Sequence, residues 1–261
     1  MNKKLLIVGN WKMHLNVQQS SLLVHRLQER ISSNRRDVEV VLAPSMLALQ
    51  PVSLQIDRRR FRLCAQDAYS KDEGGYTGEV SFAMLGDLVH YAIVGHSSRR
   101  LYFGETLDVV KDKVQAAVRN EIAPIICVGE TKQERDDGEA KQVIHDQVTS
   151  ALMNLTSKDI EQIVIAYEPV WAISAFNGTI AKPDDAGKMV AYIRQQVSDL
   201  YGKRAADSMR ILYGGSVNEH DVRSYLALEQ VDGVLVGAAS LNYLQFAEIV
   251  SVAHQLQTER K

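Results

Sequence analysis

Ile163-Val164-Ile165-Ala166-Tyr167 is an apolar run closed by Glu168 and Pro169. A strand with one wet face alternates apolar and polar residues. This run does not alternate, which is the pattern of a strand buried on both faces. Working outward in both directions, the same pattern recurs at Leu5–Val8, Val38–Ala43, Phe61–Ala65, Tyr91–Val94, Pro124–Val128, Arg210–Tyr213 and Gly233–Val236, making eight runs in all. The stretches between them carry helical spacing. Leu23, Leu27 and Ile31 follow Asn16, a good N-cap residue, and Val110, Val114 and Val118 form a second stripe. Lys182-Pro183-Asp184-Asp185 reads as a helix start, with acids suited to the dipole, ahead of Val190, Ile193 and Val197; Gly202 marks its end. Eight strand–helix units over this length predict the α/β class and a single closed (β/α)8 barrel. An open doubly wound sheet is the competing architecture, but its G-x-G-x-x-G turn after the first strand is missing. With no linker or low-complexity segment, residues 1–261 are expected to form a single domain.

The bulk numbers narrow the function classes. The chain has 261 residues with a net charge of -2, so neither nucleic acid nor a membrane surface is expected as a partner. Its two cysteines, Cys64 and Cys127, each sit in an apolar run, which fits buried thiols in a reducing compartment. Leu5–Val8 begins like a signal peptide but is broken by Asn10 and Lys12, so no targeting segment is expected and the location is read as cytoplasmic. No apolar stretch approaches the ~20 residues of a membrane span.

In a barrel of this kind the active site lies where the strands end. After the first run come Gly9-Asn10-Trp11-Lys12. Alternation puts Asn10 and Lys12 on the face of Leu6 and Val8, and if that face is the inner one, an amide and an ammonium meet at the mouth. After the fourth run comes His96, which the same alternation places with Ala92 and Val94. After the sixth comes Glu168, whose exit from the strand is restricted by Pro169 and which would serve as a general base. Tyr213-Gly214-Gly215-Ser216 and Val236-Gly237-Ala238-Ala239-Ser240 close the last two runs. Small residues there let backbone N–H groups approach a phosphate. Taken singly, each feature has a plainer reading: a surface lysine, a structural histidine, a solvated acid, glycines in turns.

Together these stretches closely resemble the triosephosphate isomerase family, whose fold is the TIM barrel. The resemblance rests on G9-N-W-K-M13, A65-Q-D67, G75-Y-T-G-E-V80, V94-G-H-S97, C127-V-G-E-T131, A166-Y-E-P-V-W-A-I173, Y213-G-G-S-V217 and V231-D-G-V-L-V-G237, in family order over nearly the whole chain. It implies an aldose–ketose isomerase of glycolysis and gluconeogenesis that interconverts dihydroxyacetone phosphate and glyceraldehyde 3-phosphate through an enediolate, without cofactor or metal. Carried onto this sequence, Glu168 would be the base, His96 the neutral electrophile, Lys12 the positive charge at the oxyanion and Asn10 a hydrogen-bond donor. The phosphate, part of a small phosphorylated sugar, would rest on N–H groups near Ser174, Ser216, Gly237 and Ala238. Val170 to about Ala181 resembles the family's lid. Gly74–Glu79 resembles its intersubunit loop, which places Thr77 beside the partner's site and implies a homodimer.

The sequence departs from the family pattern at three places. Ser98 stands where the family usually has a glutamate near Lys12, and a hydroxyl cannot neutralise an ammonium. The lid is longer by about two residues, with Ser174 in place of a glycine and Phe176 inserted. Ala238 replaces the second glycine after the eighth run. Because all three touch the substrate environment, two other readings stay open at this level: a sister isomerase of a tetrulose phosphate, and a weakly catalytic phosphate-binding barrel. Arg99 and Arg100 are expected as surface or interface ion-pair partners.

Overall fold

The computed structural model describes residues 3–31, 38–173 and 180–260. The eight runs are strands β1 (Leu5–Asn10), β2 (Val38–Ala43), β3 (Phe61–Ala65), β4 (Tyr91–Val94), β5 (Ala123–Val128), β6 (Val164–Tyr167), β7 (Arg210–Tyr213) and β8 (Gly233–Val236). Neighbours pair in parallel, and β1 closes on β8 from Leu6–Gly233 to Gly9–Val236. The sheet is therefore a closed barrel, and the open doubly wound alternative is excluded. Expected and observed strand ends agree closely. The largest difference is at β1, which runs on to Asn10 and so carries the first candidate site residue inside the strand itself.

The absence of alternation has a direct cause, since both faces of the strands are dry apart from exposed Arg62 on β3 and half-buried Glu39, Ala123 and Arg210. Leu6, Val8, Val41, Cys64, Ile93, Ile125, Val164, Ala166, Leu212 and Leu235 fill the inside of the barrel. Leu5, Ile7, Val40, Leu42, Ala92, Val94, Ile165 and Tyr167 point outward into a second layer shared with the helices. Burying each such aliphatic side chain stabilises the fold by about 1.5–3 kcal/mol. Because the inner layer is packed, a ligand can be met only at an end of the barrel.

The helices follow their sequence signals. Asn16 caps helix Val17–Arg30 in a reciprocal box: its Oδ1 accepts the Gln19 N–H at 2.9 Å, and Gln19 Oε1 accepts the Asn16 N–H at 3.0 Å. Leu23 and Leu27 are buried on this helix, whereas Ile31 is buried just past its end. Thr106 caps helix Leu107–Arg119, whose Val110 and Val114 face the strands. Pro183 opens helix Pro183–Tyr201 with Asp184 and Asp185 in the first turn, and Gly202 ends it at φ +85°. Among the described residues no helix is long and apolar enough to cross a membrane.

Candidate active site

At the end of β1 the alternation holds. Asn10 continues the inward face of Leu6 and Val8 and is buried. Its Oδ1 accepts the Lys12 N–H at 3.0 Å, and the Lys12 carbonyl accepts a hydrogen from Gln66 Nε2 at 2.8 Å. These two bonds hold Lys12 at φ +50°. That conformation costs a side-chain-bearing residue about 1–2 kcal/mol. Gln66, which also donates to the Ala43 carbonyl at 2.9 Å, is a brace that sequence reasoning did not single out. Among the described residues Lys12 has no carboxylate ion-pair partner.

At the end of β4 simple alternation fails. Ala92 and Val94 belong to the outer layer, while Ile93 lies inside. His96 therefore does not follow the face of Ala92 and Val94. Gly95 adopts φ +68° and redirects the chain, so that the imidazole reaches the barrel mouth. A methyl group at position 95 would lie 2.9 Å from both Arg100 Nη2 and a Val110 methyl, so no larger residue fits this turn. His96 caps helix Ser97–Phe103: its Nδ1 accepts the Ser98 N–H at 3.1 Å and faces Ser98 Oγ at 2.8 Å. An N–H can only donate, so Nδ1 carries a lone pair and the ring proton sits on Nε2. Burial holds the imidazole below its usual pKa. The Glu168 carboxylate pulls the other way, and the Lys12 ammonium adds to the lowering. The His96–Glu168 contact, Nε2 to Oε1 at 3.1 Å, is thus a hydrogen bond from neutral imidazole to carboxylate.

Glu168 keeps the inward face of Val164 and Ala166 and is 2% exposed. Its second oxygen, Oε2, accepts the Ser97 N–H at 3.1 Å, and its own N–H donates to the Val128 carbonyl at 2.8 Å. A methyl group on Gly214 would fall 2.8 Å from Glu168 Cγ, so this glycine makes room for the acid. Neither Ser97 nor Gly214 is visible as an acid-positioning residue in the sequence, because each acts across strands.

Asn10, Lys12, His96 and Glu168 line a cavity of about 410 Å³. Gly214, Gly215, Ser216, Gly237 and Ala238 line the same cavity, so the glycine-rich ends of β7 and β8 border the charged groups. A methyl on Gly237 would lie 3.9 Å from Lys12 Cε. Ala238 opens a short turn, Ala238–Leu241, whose first N–H groups have no partner within it. The Ser216 N–H donates to the Ala172 carbonyl at 3.1 Å. Ser174 and Phe176 lie outside the described residues.

The chain on either side of that segment is anchored. Glu130, fully buried, accepts from Tyr167 Oη at 3.1 Å and Trp171 Nε1 at 2.8 Å and pairs with Arg135 at 3.0 Å. On the far side, Tyr225 Oη donates to the Ala181 carbonyl at 2.5 Å, and the Tyr225 ring stacks on Tyr213 with centroids 4.1 Å apart. The Gly74–Glu79 loop stands out in solvent with Tyr76 43% exposed.

One expectation is corrected. Arg99 pairs with Asp67 and Glu105, but Arg100 is no surface ion-pair residue: it donates to the carbonyls of Gly95 at 2.8 Å and Cys127 at 3.2 Å. It ties the end of β4 to that of β5. Cys127 is a free, buried thiol, and burial followed by the neighbouring Glu168 charge pushes its pKa well up, so it stays protonated.

A carboxylate, a neutral imidazole and an ammonium in one cavity with glycine-rich strand ends define a barrel enzyme of the proton-transfer class acting on a phosphate-bearing substrate. The triosephosphate isomerase family matches residues 5–253. The chain is 40% identical to the triosephosphate isomerase of Chloroherpeton thalassium over 252 residues, 96% of this chain and 99% of that protein. It is 41% identical to that of a Thermoanaerobacter species over 247 residues, 94% and 98% of the two chains. To that of Dehalococcoides mccartyi it is 38% identical over 260 residues, 98% and 99%. The chain belongs to the triosephosphate isomerase family. Its reaction is the aldose–ketose isomerisation of dihydroxyacetone phosphate and glyceraldehyde 3-phosphate.

Proposed function

We propose that Glu168 is the base, His96 the electrophile, and Lys12 with Asn10 the charge and polar partner of the developing oxyanion. The observation that carries this reading is the His96–Glu168 pair at 3.1 Å on the wall of the cavity, with the imidazole proton on Nε2. Substrate takes over the bonds that Glu168 now makes to Ser97 and His96. Glu168 then removes the pro-enediolate proton from C1 of dihydroxyacetone phosphate. The C1–H electron pair forms the C1–C2 double bond, and the carbonyl pair moves onto the C2 oxygen. His96 Nε2–H and the Lys12 ammonium stabilise that oxyanion as fixed, preorganised charges. Return of the proton to C2, with the hydroxyl proton passing from the C1 oxygen to the C2 oxygen, gives glyceraldehyde 3-phosphate.

The phosphate is assigned to N–H groups of Gly237 and Ala238, with Ser174, and with Ser216 once its bond to Ala172 opens. The chain from 1 to 261 acts as one domain in the cytoplasm, and as a homodimer through the Gly74–Glu79 loop. The loop's exposure, together with Met13 at 96% exposure beside Lys12, supports that assembly.

The test is isomerisation of glyceraldehyde 3-phosphate in deuterated water, run beside a tetrulose phosphate. Wild-type protein is expected to turn over the triose phosphate preferentially and to place deuterium at C1 of dihydroxyacetone phosphate, and Glu168→Gln to do neither. Undiminished exchange in Glu168→Gln removes Glu168 as the base. Sedimentation of the native chain tests the dimer.

A further inference from the structure

Position 98 does more than lack a carboxylate. Ser98 turns both of its polar donors toward one atom: its N–H lies 3.1 Å and its Oγ 2.8 Å from His96 Nδ1. Because the N–H fixes Nδ1 as a lone-pair acceptor, the hydroxyl facing the same lone pair must donate too, as a three-centre bond. The nearby charged groups do not take that lone pair: Glu168 is engaged through Nε2 on the opposite side of the ring, and among the described residues the hydrogen bonds at Nδ1 come from Ser98, not from the Lys12 ammonium.

We propose that Ser98 is a positioning residue for the isomerisation, its hydroxyl fixing the His96 ring and the tautomer that presents Nε2–H to the substrate oxygen. The proposal rests on the reading of His96 as the electrophile. It assigns to the serine hydroxyl a task that a carboxylate could not perform, because an ionised carboxylate has no proton to give Nδ1. The same substitution that leaves Lys12 without an ion-pair partner thus adds a second donor behind the imidazole. A ring held by two donors rather than one loses less freedom when the substrate replaces Glu168 at Nε2, so the effect falls on turnover more than on binding.

The experiment compares wild type with Ser98→Ala, Ser98→Thr and His96→Gln, by steady-state kinetics and by nitrogen NMR of ring-labelled histidine. Ser98→Ala is expected to lower kcat by about three- to tenfold, the scale of one hydrogen bond, with KM unchanged. In the same variant the Nδ1 resonance of His96 moves toward that of a nitrogen accepting fewer hydrogen bonds, while Nε2 stays protonated. Ser98→Thr, which keeps the hydroxyl, restores both. Ser98→Cys, close in size but a much weaker donor, gives the same readings as the alanine if that variant folds poorly. An unchanged Nδ1 resonance in Ser98→Ala overturns the proposal, whatever happens to kcat. So does a kcat loss that threonine does not restore. If His96→Gln retains full kcat, the electrophile reading fails instead, and the Nδ1 resonance still reports separately whether Ser98 holds the ring.

Discussion

Two groups of buried charge lie beside the strand ends, one around Asp67 and Glu105, the other around Lys12 and Glu168. In the first, Lys113 contacts both Asp67, at 2.7 Å, and Glu105, and Arg99 contacts the same two acids. Two acids meet two bases, and none of the four lines the site cavity. Burial alone would raise Glu105, but the bonds from Lys113 and Arg99 outweigh it and hold the carboxyl below its usual value. In the second group the balance is left open. Glu168 faces a neutral imidazole and an N–H, and Lys12 has no acid within reach among the described residues. Charge met by opposite charge holds the fold together, whereas charge left unanswered beside a cavity is available to a substrate.

The contrast breaks most directly at Glu168. Glu168→Gln is expected to lower kcat by about 10²–10⁴-fold, the usual contribution of a general base, with the melting temperature little changed. A similar loss of kcat from a variant of the first group would remove the distinction.

Lys113→Met tests the other side. Removing one member of a buried ion-pair group leaves carboxylates uncompensated, so unfolding in urea should show a loss of about 3–5 kcal/mol. Turnover per folded molecule should not change. Arg99 remains beside both acids, which puts the expected value toward the lower end.

The pH dependence of stability sharpens the comparison further. His96 has a folded pKa below its unfolded value near ~6.5. Its neutral form is therefore favoured by folding, and no stability is lost above that pH. As pH falls from the unfolded value through the folded one, the unfolded state binds the proton first and stability declines. The melting temperature of wild type minus that of His96→Gln should accordingly fall with acidification over this window. A flat difference would mean that burial does not set the charge of this ring. The smallest effect is expected at Ala181, where Tyr225→Phe removes the hydrogen bond to its carbonyl and should cost about 1 kcal/mol in urea unfolding.

How much of this was legible in the chain differs from strand to strand. Period and composition were enough for the barrel, because the strands are buried on both faces almost throughout and the longer helices carry apolar stripes. Alternation also put Asn10 on the inward face of Leu6 and Val8, and Asn10, Lys12 and Glu168 all line the cavity, although Glu168 had been read from the proline that follows it. His96 did not follow that rule: a single glycine at positive φ intervenes, and alternation cannot be counted through it. Arg100 looked like a surface charge because its partners are carbonyls of β4 and β5, which carry no sequence signature.

The sequence by itself determined the closed eight-unit architecture, the kinds of side chain available at the mouth and the family they define. Those are consequences of local periodicity, capping and residue chemistry, all of which are properties of neighbours in the chain. Tertiary structure alone decided that His96 points at Glu168, that Ser97 and Gly214 seat the acid, that Gln66 braces Lys12, and that Ser98 turns two donors on one ring nitrogen. Most of those contacts join residues from different strands. The Ser98 contact is local but depends on the turn at Gly95, so they are set by the closure and register of the barrel and the geometry of its turns rather than by residue type alone.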